Sequence, residues 1–207
     1  SGSLANPRFG YDRGLHDLGN GAWAWLQPDG SWGWSNAGLI SDGGATLLVD
    51  TLFDLRLTSE MLDAMRGAVP AARRIDTLVN THSNGDHSYG NELVPEAEIV
   101  ATRACADEMT HETPAVLAEF QRRAPELGPL GAYVLHCFGA FHFDGITPRL
   151  PTRTFEGRLD LAVGAKRVEL IEVGPAHTRG DAMVFAPGVR TLFTGDILFI
   201  DGTPIVW

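Results

Sequence analysis

The chain has 207 residues, 44% of them hydrophobic and 20% charged, enough for one α/β domain with a real core and short for two. Its formal net charge of −10, from 26 acidic and 16 basic residues, argues against broad nucleic-acid binding, which needs a basic face. No apolar run reaches the roughly 18 residues of a membrane span and no charged-then-apolar leader opens the chain, so no membrane partner is expected.

In chain order, Ser1-Gly2-Ser3 reads as an expression scar, with which a cleaved leader can have been lost. Gly21–Trp25 and Trp32–Ile40 read as strands around the turn signal Gln27-Pro28-Asp29-Gly30. Ala45–Asp50 is a buried strand after Gly43-Gly44. Thr58–Arg66 is a helix capped by Thr58 or Ser59 and stopped at Gly67. Thr77–Asn80 is the next buried strand and delivers the chain to Thr81-His82. Glu98–Ala101 is a strand, followed by a helix near Thr102–Met109. From about Thr110 to Leu150 the rhythm breaks. A helix starts at Thr113-Pro114 and runs through Ala115–Arg123, and Gly- and aromatic-rich residues follow Pro125, which together read as an inserted helical cap within a single domain 1–207. Val168–Val173, Ala182–Phe185 and Thr191–Thr194 are the closing strands. Alternating strands and helices of this kind form layered α/β domains.

Three segments that follow strands carry candidate ligands. Thr81–His87 reads T-H-S-N-G-D-H and offers His82, Asp86 and His87 within six residues, with Asn84 among them. A loop leaving a strand end can aim such side chains into one space, and imidazole with carboxylate suits zinc, iron or manganese. Gly174–Asp181, G-P-A-H-T-R-G-D, offers His177, with Thr178 and Asp181 placed to orient it by hydrogen bonding. Thr194-Gly195-Asp196 presents a carboxylate able to bridge two metals or complete a three-ligand site.

Asp50 in L-V-D, the T-H-S-N-G-D-H loop, G-P-A-H-T-R-G-D and T-G-D resemble, in this order, successive motifs of the metallo-β-lactamase fold superfamily, from about Asn36 to Phe199. The resemblance implies an αββα four-layer sandwich. It also implies one metal site holding His82 and His177, a second holding Asp86 and His87, Asp196 bridging them, and Asp50 supporting the loop. It does not imply a substrate, because the superfamily includes β-lactamases, thioesterases, lactonases, phosphodiesterases, sulfatases and persulfide dioxygenases. Two departures stand out. The family loop reads H-x-H-x-D-H, and Asn84 takes the place of its second histidine. The family's last histidine, in a strand–loop segment after the T-G-D motif, and the final strand and helix of the fold would follow Trp207, so the chain is expected to be incomplete at that end. Ligand counting then predicts weak, partial occupancy, at most about one equivalent of metal, on the Asp86–His87 side in a full-length protein and the His82–His177 side in a chain ending here.

The implied chemistry is hydrolysis of an ester, thioester, lactone, amide or phosphoester bond in a small molecule, by water activated on one or two zinc ions and oriented by Asp86. No G-x-S-x-G nucleophile elbow is present. A rival uses His82, His177 and Asp196 as the two-histidine, one-carboxylate set of a non-haem iron oxygenase. A third reading is a metal-poor binding protein of the same fold. Among the other residues, His142 in Phe141-His142-Phe143 is a candidate for facing substrate. His16, His111 and His136 carry no motif, and Trp23, Trp25, Trp32 and Trp34 alternate as core or pocket-wall residues. Cys105 and Cys137 read as buried small hydrophobes, with a cytoplasmic location as the default.

Overall fold

A computed structural model describes residues 12–29, 31–111, 113–200 and 202–206. The expected scar Ser1-Gly2-Ser3, Gly30 of the expected turn, and Trp207 lie outside the described residues. The chain opens with an antiparallel meander of β1 (Gly14–Gly19), β2 (Ala22–Leu26), β3 (Ala37–Asp42) and β4 (Ala45–Val49). Then come α1 (Leu55–Ala68), β5 (Thr77–Val79), β6 (Glu98–Thr102), α2 (Arg103–Glu108), α3 (Pro114–Arg123), α4 (Pro129–Phe138) and β7 (Arg153–Phe155), with β4 through β7 pairing in parallel. These seven strands form one sheet in chain order. A second, antiparallel sheet holds β8 (Arg158–Val163), β9 (Lys166–Glu172), β10 (Ala182–Ala186) and β11 (Thr191–Phe193).

Side chains alternate across a strand, so a strand covered on both faces must be apolar throughout. In β4, Leu47 and Val49 face the second sheet while Leu48 faces the helix layer. In β5 the same division falls between Val79 and Leu78, and in β6 between Val100 and Ile99. Val168, Leu170, Val163 and Val184 meet them from the small sheet and complete the core between the sheets. On the other side, Leu57, Met61, Leu62 and Met65 of α1 form one helical stripe against Leu39, Leu48 and Leu78. The architecture is therefore the expected α/β one, two facing sheets with helices packed on the larger. Arg158, Asp160 and Arg167 leave the outward face of β8 and β9 charged, with Arg167 paired to Asp160 at 3.2 Å. No helix among the described residues is long and apolar enough to cross a membrane.

Several boundaries differ from the sequence expectation. The cap of α1 is Asp54, whose carboxylate accepts the Leu57 N–H at 2.7 Å. Thr58 is buried in the first turn, where its hydroxyl accepts the Leu52 N–H at 3.1 Å. The expected strand Trp32–Ile40 forms only from Ala37 onward. Before it, Asn36 Oδ1 accepts the Gln27 N–H at 2.9 Å and the Ser35 hydroxyl donates to the Asp86 carbonyl, so side-chain bonds displace a regular ladder. Trp32 is exposed, whereas Trp25 is buried and the Trp34 ring packs on Phe141 at 5.0 Å.

Within Thr110–Leu150 the second helix, α4, was not expected. It begins with Pro129 as α3 begins with Pro114, and Gly131 is required because a Cβ there would sit 1.7 Å from the Ala124 carbonyl oxygen. The return segment places Phe141 and Phe143 against Phe53 at 4.8 Å each and ties to α1 through the His142 N–H, donated to Asp54 at 3.0 Å. Both cysteines are buried, as expected.

Candidate metal centre

All three ligand-bearing segments emerge at one end of the two sheets. The parallel strands β4 and β5 run out at Asp50 and at Asn80-Thr81-His82. In the small sheet β9 and β11 both pair antiparallel with β10, so the loop holding His177 and the turn holding Asp196 leave from the same end. One backbone and one side-chain hydrogen bond tie the segments together there. The Ala182 N–H donates to the Thr81 carbonyl at 2.8 Å, and the Thr102 hydroxyl donates to the Gly180 carbonyl at 2.7 Å.

Asp50 is the brace of the loop. It is buried and left-handed, with φ of 64°, a conformation Asp tolerates better than most residues. Its Oδ1 accepts the Thr81 N–H at 2.7 Å. Its Oδ2 accepts the Thr81 hydroxyl at 2.7 Å and the His87 Nδ1–H at 2.9 Å. A second buried network holds the His87 carbonyl, which accepts from Asn80 Nδ2 at 3.0 Å and from the Thr51 N–H at 3.0 Å. Asn91 Nδ2 donates to Asn80 Oδ1 at 2.9 Å, and the Thr51 hydroxyl donates to Asn91 Oδ1 at 2.9 Å.

These contacts fix the ring tautomers. The Thr81 hydroxyl spends its proton on Asp50, so at 2.9 Å it accepts from His82 Nδ1–H. His87 Nδ1–H is given to Asp50, and His177 Nδ1–H is given to the Ile205 carbonyl. Each ring then turns its Nε2 into the same space, the arrangement of imidazoles whose other nitrogen is held by an outer partner. Nε2 of His82 and of His87 is buried without a hydrogen bond.

Two carboxylates and one amide share that space. Asp196 Oδ1 lies 3.0 Å from His87 Nε2, and its Oδ2 lies 3.6 Å from His177 Nε2. Asp86 Oδ2 lies 3.6 Å from His87 Nε2, and Asn84 Oδ1 lies 2.9 Å from His177 Nε2. Two sets, His82–His177–Asp196 and Asp86–His87–Asp196, each bring their ligand atoms within 4.8 Å of one another. Charge follows this geometry. Burial and the neighbouring His87 push His82 well below the usual imidazole pKa. Burial also opposes a charge on His87, but Asp196, Asp86 and Asp50 outweigh it and raise its pKa well above the ordinary value. Burial raises the Asp86 carboxyl, whereas at Asp196 the nearby His87 overcomes burial and holds the group below the usual carboxylate range. Three imidazole Nε2 atoms facing two carboxylates fit a divalent cation, which would take the place of the proton that Asp196, Asp86 and Asp50 favour on His87, and both ligand sets could hold one.

The other expected residues are placed as follows. Asp181 accepts the Thr178 N–H at 2.7 Å and the Thr178 hydroxyl at 2.9 Å, which stiffens the turn after His177. The His142 ring is exposed and belongs to neither ligand set. Thr51, Asn80, Asn91 and the Ile205 carbonyl were not anticipated. Gly195 is required twice over, since its φ is 51° and a Cβ would lie 2.7 Å from the Thr81 hydroxyl oxygen. Gly195→Ala is therefore expected to destabilise the fold by ~1–3 kcal/mol and to lower metal uptake by displacing Thr81 or Asp196; urea denaturation and metal titration of the variant check this.

A family model described as the metallo-beta-lactamase superfamily matches residues 30–207. The chain belongs to that superfamily. Over 166 residues it is 26% identical to the 2,4-dinitroanisole O-demethylase subunit alpha of Nocardioides sp. (strain JS1661); the match covers 79% of this chain and 41% of that protein, so the chain spans about two fifths of the relative's length. Among solved superfamily structures, a metallo-beta-lactamase from Pontibacter korlensis is similar with a TM-score of 0.59 and 18% identity, over 87% of this chain and 69% of that one. A stereoselective inverting sec-alkylsulfatase from Pseudomonas sp. is similar with a TM-score of 0.59 and 16% identity, over 85% of this chain and 30% of that one. At such identities the likeness is one of fold.

Proposed function

We propose that this chain is a metal-dependent hydrolase in which His82, His177 and Asp196 hold one divalent ion and Asp86, His87 and Asp196 hold a second. The observation that carries the reading is the convergence of three imidazole Nε2 atoms, two of them buried without a hydrogen bond, and the Asp86 and Asp196 carboxylates in one space. When bound, a divalent ion, zinc first and iron(II) as the other choice, supplies Lewis acidity that acidifies water and polarises an oxygen of the substrate. The chain's own residues do the rest. Asp86, partly buried beside His87 Nε2, accepts a hydrogen of the attacking water and aims its oxygen. Asp50 and Thr81 keep His82 and His87 in the ligating tautomer, and Thr178 with Asp181 steadies the His177 turn. Thr110–Leu150 serves as a cap that walls the cleft, a role supported by the packing of Phe141 on Trp34, whose neighbour Ser35 bonds to the Asp86 carbonyl.

The substrate is a small molecule with an ester, thioester, lactone, amide or phosphoester bond. The alkylsulfatase and O-demethylase names among the similar proteins add sulfate esters and aryl methyl ethers to the compounds worth testing. A second reading, oxygen-dependent chemistry at a non-haem iron, is favoured by the compact His82–His177–Asp196 set. Turnover of such a panel in oxygen-18 water, with dissolved oxygen monitored, separates the two. The hydrolase reading expects the label in product and no oxygen uptake. Oxygen uptake matching product formation would replace it with the iron reading.

A further inference from the structure

Asn84 occupies the loop position at which the superfamily's H-x-H-x-D-H pattern has an imidazole, and its amide is directed into the cluster. Asn84 Oδ1 stands 2.9 Å from His177 Nε2. The Nδ1–H of that ring is committed to the Ile205 carbonyl, which leaves Nε2 as the atom facing the cluster. Oδ1 and Nε2 thus meet beside Asp196 Oδ2 and the buried His82 Nε2. A divalent ion seated there would meet both atoms as ligands. We propose that Asn84 is an oxygen ligand of the His82–His177–Asp196 pocket and tilts its preference from zinc toward a harder divalent ion, manganese(II).

This rests on the metal-centre reading above. The chemistry is that of donor type. Imidazole suits zinc and iron alike, whereas carbonyl and carboxylate oxygens suit manganese and magnesium. Exchanging one imidazole for an amide turns a pocket of three nitrogens and one oxygen into one of two nitrogens and two oxygens. The lost nitrogen weakens zinc binding more than manganese binding. The general affinity order among divalent metals still favours zinc over manganese in absolute terms, so the effect lies in the ratio of the two affinities.

The test uses the whole chain stripped by chelator, with manganese(II) followed through the loss of its aqueous electron paramagnetic resonance signal and zinc(II) through competition with a chromophoric chelator. Asn84→His is expected to raise zinc affinity by about 10–100-fold and manganese affinity by no more than about threefold. Asn84→Ala is expected to weaken manganese binding by about tenfold or more, and Asn84→Asp, which keeps an oxygen donor and adds charge, to restore it. Thermal unfolding of each apoprotein confirms that the variants fold. An equal gain for both metals in Asn84→His, or undiminished manganese binding in Asn84→Ala, would overturn the proposal. Wild-type protein that takes up neither ion, or His177→Ala that binds both as well as wild type, would overturn the metal-centre reading and the proposal with it.

Discussion

Asp196→Ala is expected to lose metal from both ligand sets at once. Asp196 is the one residue common to them, with Oδ1 at 3.0 Å from His87 Nε2 and Oδ2 at 3.6 Å from His177 Nε2. Burial disfavours its charge, but His87, followed by His82 and His177, keeps it ionised. Without it the Asp86–His87 set falls to two protein ligands, below the three that a catalytic zinc normally keeps, and the other set keeps His82, His177 and the weak amide oxygen of Asn84 with no carboxylate. Affinity should fall by more than about 100-fold and any hydrolytic turnover by a factor of about a thousand or more. The fold itself should survive, because Asp196 is partly exposed and no backbone group depends on its carboxylate among the described hydrogen bonds. Metal content after dialysis, alongside circular dichroism, reads both effects. Unchanged metal content in a folded variant would contradict the shared role of Asp196.

Asp50→Ala is the change expected to harm the fold most. Three donors, the Thr81 N–H, the Thr81 hydroxyl and His87 Nδ1–H, lose their common acceptor in a buried place. Each stranded buried donor costs about 1–3 kcal/mol, and relaxation keeps such losses from adding fully. An overall loss of about 3–5 kcal/mol follows, the range seen when one partner of a buried charge network is removed. Alanine is also a poorer fit than Asp at a φ of 64°. Asp50→Asn keeps the shape but presents an N–H₂ toward donors that need an acceptor. It is expected to fold with a smaller loss and to bind metal about 10–100-fold more weakly, as when the outer partner of a ligating histidine is changed. Urea denaturation of both variants, with metal titration of Asp50→Asn, checks this. Wild-type affinity in Asp50→Asn would show that the His87 and His82 tautomers are set by something else.

What the sequence made legible follows from where the physical signal is local. Strands β4, β5 and β6 are short runs apolar on both faces, and each stood out because burial between two layers demands it. His82, Asp86, His87, His177 and Asp196 stood out through their position after strand ends, and the structure draws them into one space. The edge strands were harder. β7 has three residues, two of them exposed, and β1 has no fully buried residue, so neither shows a core-facing pattern. In β8, Leu159, Leu161 and Val163 alternate with Arg158, Asp160 and Ala162, a readable period-two signal. Helix α4 was hidden by Gly131, which is there for a close approach to Ala124 that only the folded hairpin reveals. The network of Thr51, Asn80 and Asn91 joins residues up to 40 positions apart, and the Ile205 carbonyl that holds His177 is a backbone group with no side-chain signature. Tertiary geometry alone brings such partners together.

The central claim is that the convergent imidazoles and carboxylates at the ends of β4, β5, β9 and β11 hold divalent metal. Crystals of the whole chain grown with manganese(II) or zinc(II), with anomalous diffraction collected at the metal edge, test it most directly. The account predicts an anomalous peak about 2.0–2.2 Å from His82 Nε2, His177 Nε2 and Asp196, or from Asp86, His87 Nε2 and Asp196, or one in each place. Peaks confined to other parts of the surface, or none at these residues in metal-saturated crystals, would contradict it.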